Sequence, residues 1–300
     1  MTSIFKIYSG KCHPDLSKKI SRMAKIPQGK IEINRFPDGE IDVWIKDKIE
    51  GKKIVLCQPL CPPVNENLIE LALIADAARR AGAESIIAII SYLGYARKEK
   101  MNRPGEPISA RLIARILQSA GINQIITFDL HTPAIQGFFD IPVVDLKAAT
   151  ILAQPLKSLT KKVIVSPDIG GVKRARYLAD ILKSSLAIIE KKRFLTQNKN
   201  RNPESLSVIG NVKDKNCIII DDMIASGGTL LSASQKLKEA GAKKIYAVAT
   251  HLVLPAVAKE KLKKANIEQI ITTDTIPITA KDRVNKFKIV SIAGEIKKAL

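Results

Sequence analysis

Apolar positions in this chain alternate between short β-branched runs and helical stripes, and that alternation predicts a parallel α/β architecture. Lys53-Ile-Val-Leu-Cys57 reads as a buried strand. A loop, a helical pattern from about Asn65 to Ala81, Gly82 and a second strand over Ile86–Ile90 follow it. Residues 216–250 repeat the unit: strand Cys217–Ile220, a small-residue loop, and a stripe over Leu230–Ala240 carrying Leu231, Ala233 and Leu237. Gly241 and strand Ile245–Ala249 complete it. The helix ends match, Arg80-Ala-Gly-Ala against Glu239-Ala-Gly-Ala, and Leu112–Ala120, Gly121 and Gln124–Phe128 form a third copy of the tail. Glycine just past a last turn predicts a left-handed cap, and a right-handed crossover returns the chain to a parallel strand. The expectation is an α/β fold of two doubly wound, mainly parallel-sheet domains, residues 1–144 and 145–300, joined near Ile141–Leu146.

Composition narrows the classes. Three hundred residues are enough for two cores of ordinary size. No segment approaches a membrane span, and the start, Met-Thr-Ser-Ile-Phe-Lys-Ile-Tyr, lacks the apolar core of a signal peptide. Four cysteines without a CxxC pair and three histidines make zinc coordination unexpected; reduced thiols in a cytoplasmic setting are the reading. The formal charge of +20 is spread along the chain, which suggests a basic surface with anion-binding clefts. Specific nucleic-acid binding is not expected, since aromatics are few and no zinc finger, RNP motif or basic zipper is present.

The chemistry gathers at predicted strand ends. After strand Cys217–Ile220 come Asp221 and Asp222, then Ala225, Ser226, Gly227, Gly228 and Thr229. A small-residue loop between strand and helix offers backbone amides and a helix dipole to a phosphate. The paired acids suit ribose hydroxyls, directly or through Mg²⁺. A tight βα turn with incidental acids is the plain alternative. Arg35-Phe-Pro-Asp-Gly-Glu40 reads as a turn between strands. Tyr92-Leu-Gly-Tyr-Ala-Arg-Lys-Glu99 leaves a strand for a polar loop, and strand Ile125–Phe128 ends in Asp129-Leu-His131. Val163-Ile-Val-Ser-Pro-Asp168 is another strand ending in a carboxylate, and the run Lys173-Arg174-Ala-Arg176 beyond it reads as a solvated basic face. Glu190-Lys-Lys-Arg193 opens a polar stretch to Asn202, expected to be a mobile loop that could carry Lys191 and Arg193 over a phosphate site.

The Asp-Asp stretch with its glycine loop resembles the PRPP (phosphoribosyl pyrophosphate) loop of the type I phosphoribosyltransferase fold. Taken in order, Phe-Pro-Asp-Gly-Glu, Tyr-Ala-Arg, Asp-Leu-His with Gly-Phe-Phe-Asp-Ile-Pro, Ser-Pro-Asp-x-Gly-Gly-x-x-Arg-Ala-Arg, Lys-x-Arg and Asp-Asp-Met-Ile resemble the ribose-phosphate pyrophosphokinase family nearly end to end. The resemblance implies transfer of a diphosphoryl group from Mg-ATP to the anomeric hydroxyl of ribose 5-phosphate. It implies that Phe36, Asp38 and Glu40 shape an adenine site shared between subunits of a homo-oligomer. Arg97, with Glu99 nearby, would meet ATP phosphates, and His131 and Asp168 would hold Mg²⁺. Asp221 and Asp222 would take the ribose hydroxyls, residues 225–229 the 5-phosphate, and Lys191 and Arg193 the charge of the transferred group.

Departures from the family pattern are Arg97-Lys98-Glu99 in place of Arg-Gln-Asp, Ala225-Ser226 where Asp-Thr or Ser-Thr is usual, and Thr250-His-Leu in place of Thr-His-Gly. They leave room for a diphosphokinase acting on a larger 5-substituted ribose such as ADP-ribose. A non-catalytic regulatory relative is the third reading, against which Lys191 and Arg193 stand.

Overall fold

The computed structural model describes residues 5–193, 204–253, 256–279 and 285–300. The chain divides into two compact units. One runs to Lys147 and takes in Asp274–Pro277 and Ser291–Leu300; the other comprises Ala148–Thr273 and Ile278–Val290.

In the first unit the elements are β1 (Lys6–Ser9), α1 (Pro14–Ala24), β2 (Ile31–Arg35), β3 (Ile41–Ile45), β4 (Lys53–Cys57), α2 (Val64–Arg80), β5 (Ser85–Ile89), α3 (Ser109–Ser119), β6 (Gln124–Phe128) and β7 (Val143–Leu146). The five-stranded sheet has the order β1-β4-β5-β6-β7 and is parallel throughout. Strands β2 and β3 form a separate antiparallel hairpin. The β-branched run Ile54–Leu56 is fully buried because helices shield the sheet, and Leu71, Ile74 and Ala75 of α2 pack into the same core.

The second unit contains α4 (Ala149–Ala153), β8 (Lys162–Ser166), α5 (Val172–Leu182), β9 (Ser185–Arg193), β10 (Glu204–Ile209), β11 (Asn216–Ile224), α6 (Gly228–Glu239), β12 (Lys244–Leu252), α7 (Ala256–Lys264), β13 (Gln269–Thr273) and β14 (Phe287–Val290). Its sheet order is β10-β9-β8-β11-β12-β13-β14, parallel except for the edge strand β10. From β8 the chain builds first to one side and then, at β11, to the other. That reversal leaves a crevice outside the carboxyl ends of β8 and β11, where open α/β sheets bind ligands. The glycines expected to cap helices do so: Gly82, Gly121 and Gly241 have φ of 79°, 102° and 83°.

Several boundaries differ from the sequence reading. Strand β11 does not stop at Ile220 but continues to Ile224, because β12 is long enough to pair Asp221 with Ala249 and Ile224 with Leu252. Residues 191–193 are not loop: β9 carries them in a ladder with β10, Lys191 opposite Leu206 and Arg193 opposite Glu204. The rest of the expected mobile segment, 194–203, lies outside the described residues.

The C-terminal helix α8 (Ala293–Ala299) belongs to the first unit although its sequence follows the second. Asp274 explains why. Its carboxylate accepts from Lys19 Nζ at 2.8 Å, Ser291 Oγ at 2.7 Å and the Ile292 amide at 2.8 Å, while its carbonyl lies 2.8 Å from His13 Nε2. Ile292, Ala293 and Ile296 are buried there. Burial in turn pushes the His13 imidazole below its ordinary range.

Candidate active site

The order reversal of the second sheet collects most of its predicted residues. Strand β8 pairs with β11 as far as Val165 opposite Ile219, so Asp221 and Asp222 extend past that register on one side while held by β12 on the other. Asp222 is buried and Asp221 half-buried. Arg174, in the first turn of α5, reaches both: Nη1 lies 3.3 Å from Asp221 Oδ1 and Nη2 3.7 Å from Asp222 Oδ2. The Asp222 amide also donates to Asp221 Oδ1 at 2.9 Å. Burial first, and then the adjacent Asp222, push the Asp221 carboxyl up to about 7 against the opposing pull of Arg174. Two carboxylates with one guanidinium between them are thus held short of neutrality. Such a site gains from hydroxyl donors or a cation.

Arg174 is the partner of the acid pair that the sequence reading missed. A basic run after a glycine pair looks like a solvated face, and Lys173 and Arg176 are indeed exposed. The helical turn nonetheless aims the middle residue at the sheet. The signal available was its place three residues after Gly171 in the helix following Asp168.

Beyond the acids, Ala225 and Ser226 lead to Gly227, which adopts φ 70°, ψ −5° and starts α6. A side chain at Gly227 would strain the left-handed backbone and reach 3.4 Å from the Ala258 carbonyl. Gly227 supplies no side-chain cap and the first turn of α6 carries no acid. Ser226 Oγ lies 3.4 Å from the Gly228 amide. The helix start therefore keeps its positive end turned to the loop, with Thr229 half-buried beside it. Asp168 follows β8 in a loop of its own. Its Oδ1 accepts from the Gly171 amide at 2.9 Å and Ser166 Oγ donates to its carbonyl at 2.6 Å, which leaves an exposed carboxylate oriented by the turn. Lys191 and Arg193 stand at the end of β9, two strands from β11.

In the first unit, His131 follows β6 at the carboxyl edge of the sheet and is exposed; Asp129 before it takes φ 38°. Arg97, exposed, lies in the segment after β5 at the same edge, with Glu99 half-buried and 3.9 Å from Lys100 Nζ. Lys98, the departure from the family pattern, pairs with Glu106 at 2.9 Å and so braces its own loop. Phe36, Asp38 and Glu40 occupy the tip of the β2–β3 hairpin. The turn is closed by the Phe36 amide on Glu40 O (2.9 Å) and the Glu40 amide on Asp38 Oδ1 (3.1 Å), and Phe36 is 52% exposed. Among the described residues no group of three or more His, Cys, Asp or Glu could hold a metal ion unaided.

A parallel sheet with an acid pair, a glycine turn and a helix start at its order reversal defines the phosphoribosyltransferase type of α/β protein. Residues 5–121 match the N-terminal domain of ribose phosphate pyrophosphokinase, and residues 188–300 the phosphoribosyl synthetase-associated domain. A ribose-phosphate pyrophosphokinase of Helicobacter pylori is 40% identical, covering 97% of this chain and 92% of its own length. One from Clostridium perfringens is 43% identical over 96% and 91%. The crystal structure of phosphoribosylpyrophosphate synthetase from Mycobacterium smegmatis superposes with a TM-score of 0.92 at 35% identity, covering 99% of this chain and 97% of that one. The chain belongs to the ribose-phosphate pyrophosphokinase family.

Proposed function

We propose that this protein is a ribose-phosphate diphosphokinase: it moves the β,γ-diphosphoryl group of Mg-ATP to the anomeric hydroxyl of ribose 5-phosphate and yields PRPP and AMP. The observation that carries the reading is the Asp221–Asp222–Arg174 cluster running directly into the Gly227–Gly228 helix start. Acids there receive the ribose hydroxyls, and the amides of residues 225–229 receive the 5-phosphate. Such positioning is the main contribution a protein makes to phosphoryl transfer.

In this reading the anomeric oxygen attacks the β-phosphorus as the bond to the α-phosphate oxygen breaks. Lys191 and Arg193 meet the charge on the transferred group and on departing AMP. Arg97 binds nucleotide phosphates, with Glu99 beside it. His131 and Asp168 are the residues we assign to Mg²⁺, which when bound supplies charge neutralisation on the phosphates. Phe36, Asp38 and Glu40 serve the adenine of a neighbouring copy in a homo-oligomer; an aromatic ring exposed on a hairpin tip supports that role. The four cysteines are free thiols, which accords with a cytoplasmic setting.

The test is AMP release from ATP, measured with ribose 5-phosphate and with ADP-ribose and in the presence and absence of Mg²⁺. Activity with ribose 5-phosphate that needs Mg²⁺ is expected. No AMP release with ribose 5-phosphate would overturn the reading, and a preference for ADP-ribose would replace its substrate.

A further inference from the structure

Two cysteines outside the proposed machinery face each other. Cys12 lies three residues beyond β1 and Cys61 four beyond β4, neighbouring parallel strands with Ser9 opposite Cys57. Their Sγ atoms are 3.2 Å apart although 49 residues separate them in sequence. A buried polar set holds the two loops in register. Glu70 Oε1 accepts from the Lys11 amide at 2.6 Å and from Gln58 Nε2 at 2.8 Å, and Gln58 Oε1 accepts from the Cys12 amide at 3.3 Å. Asn67 Nδ2 donates to the Cys61 carbonyl at 2.8 Å and to Cys12 Sγ at 3.4 Å. Gly10 permits this packing, since a side chain there would collide with Gln58.

We propose that Cys12 and Cys61 are a modification site: a thiol pair that hydrogen peroxide converts to a reversible intramolecular disulfide. Closing the gap to a bond of about 2.05 Å takes about 1 Å of sulfur movement, within reach of side-chain torsions. Cys12 is half-buried and so open to a small oxidant, whereas Cys57, Cys61 and Cys217 are buried. The donors on Cys12 Sγ favour its thiolate. The Cys61 S–H, foremost, holds the Cys12 thiol below its ordinary range, while that same bond and burial raise Cys61. Cys12 is therefore the attacking sulfur and Cys61 the resolving one.

The electrons balance with hydrogen peroxide as oxidant. The Cys12 thiolate attacks one oxygen, the O–O bond breaks, and the leaving hydroxide takes up the proton Cys12 gave off, departing as water. Cys12 is then a sulfenic acid. Cys61 sulfur attacks Cys12 sulfur and the S–O bond breaks; the Cys61 proton goes with the hydroxide as a second water. Each sulfur loses one electron and the peroxide gains two. A dithiol reductant reverses the change by exchange.

The experiment treats the folded full chain with hydrogen peroxide, alkylates under denaturing conditions and maps the peptides. The parent is expected to lose two alkylatable thiols, with the Cys12 and Cys61 peptides joined by a link that dithiothreitol breaks, while Cys57 and Cys217 stay reactive. In Cys61→Ser, Cys12 should proceed to sulfinic acid without a disulfide. Asn67→Ala, which keeps both thiols, should slow alkylation of Cys12 several-fold at neutral pH. The proposal is overturned if the parent keeps four alkylatable thiols under oxidation that consumes Cys12 in Cys61→Ser, or if Cys12 links to another copy. Should a variant fail to fold, the parent's peptide map decides alone.

Discussion

Replacing Asp221 by Asn should make the protein more stable near neutral pH while removing its activity. The carboxyl moves from an ordinary 3.8 to about 7 on folding, chiefly through burial and then through Asp222. Above 3.8 the unfolded chain releases this proton and the folded one does not. The stability associated with the group is therefore full below 3.8, falls as pH rises towards about 7, and is constant beyond. Each pH unit in that window is worth about 1.4 kcal/mol, so the ceiling is about 4 kcal/mol. Asp221 keeps 27% of its side-chain surface in solvent, and screening there brings the expected gain for Asp221→Asn to about 1–3 kcal/mol at about pH 8. At about pH 5 only about a third of the window has been crossed, and the gain should be less than half as large. Urea unfolding followed by circular dichroism at both pH values measures it, and a shift of about 2–4 °C per kcal/mol should accompany it in melting. A variant less stable than the parent at the higher pH, or one with equal gains at both, would refute the account of Asp221 as a carboxylate held against its preference. Activity should nevertheless fall, as expected where a functional site costs stability.

Other outcomes follow from the same geometry. Arg174→Met should raise the pH at which activity develops by about 1–2 units, since a charged hydrogen bond is worth about 1.5–3 kcal/mol; an unchanged pH profile of kcat/KM would remove Arg174 from the site. Lys191→Ala should lower turnover by about two orders of magnitude or more while leaving ATP affinity within a few fold, because its charge is needed mainly in the transition state; near-normal turnover would exclude it. The double change His131→Ala, Asp168→Ala should abolish tight Mg-ATP binding in calorimetry, and binding equal to the parent would show the metal assignment to be wrong. Ala225→Thr should strengthen ribose 5-phosphate binding about tenfold or more by adding a hydroxyl to the phosphate loop, and should weaken use of ADP-ribose if that loop admits larger substituents. An unchanged ratio of catalytic efficiencies for the two substrates would make residue 225 neutral.

Features governed by short-range rules were legible along the chain. Apolar runs marked the strands, 3.6-residue stripes the helices, and Gly82, Gly121 and Gly241 their ends, because each depends on a few neighbouring residues and on glycine's freedom at positive φ. The strand-edge placing of His131 and the small-residue turn into α6 were legible for the same reason, although α6 begins at Gly228 rather than after Thr229. Tertiary structure alone decided where chain segments meet. Asp221 and Asp222 are inside a strand because distant β12 is long enough to pair with them, and Lys191 and Arg193 are in one because β10 returns beside β9. Arg174 became a partner of the acid pair 47 residues away, and Cys12 of Cys61 across 49. The last helix joined the first unit through Asp274. None of these leaves a local signal, since a hydrogen bond or ion pair between remote residues depends on strand order and register, which the whole chain's burial selects.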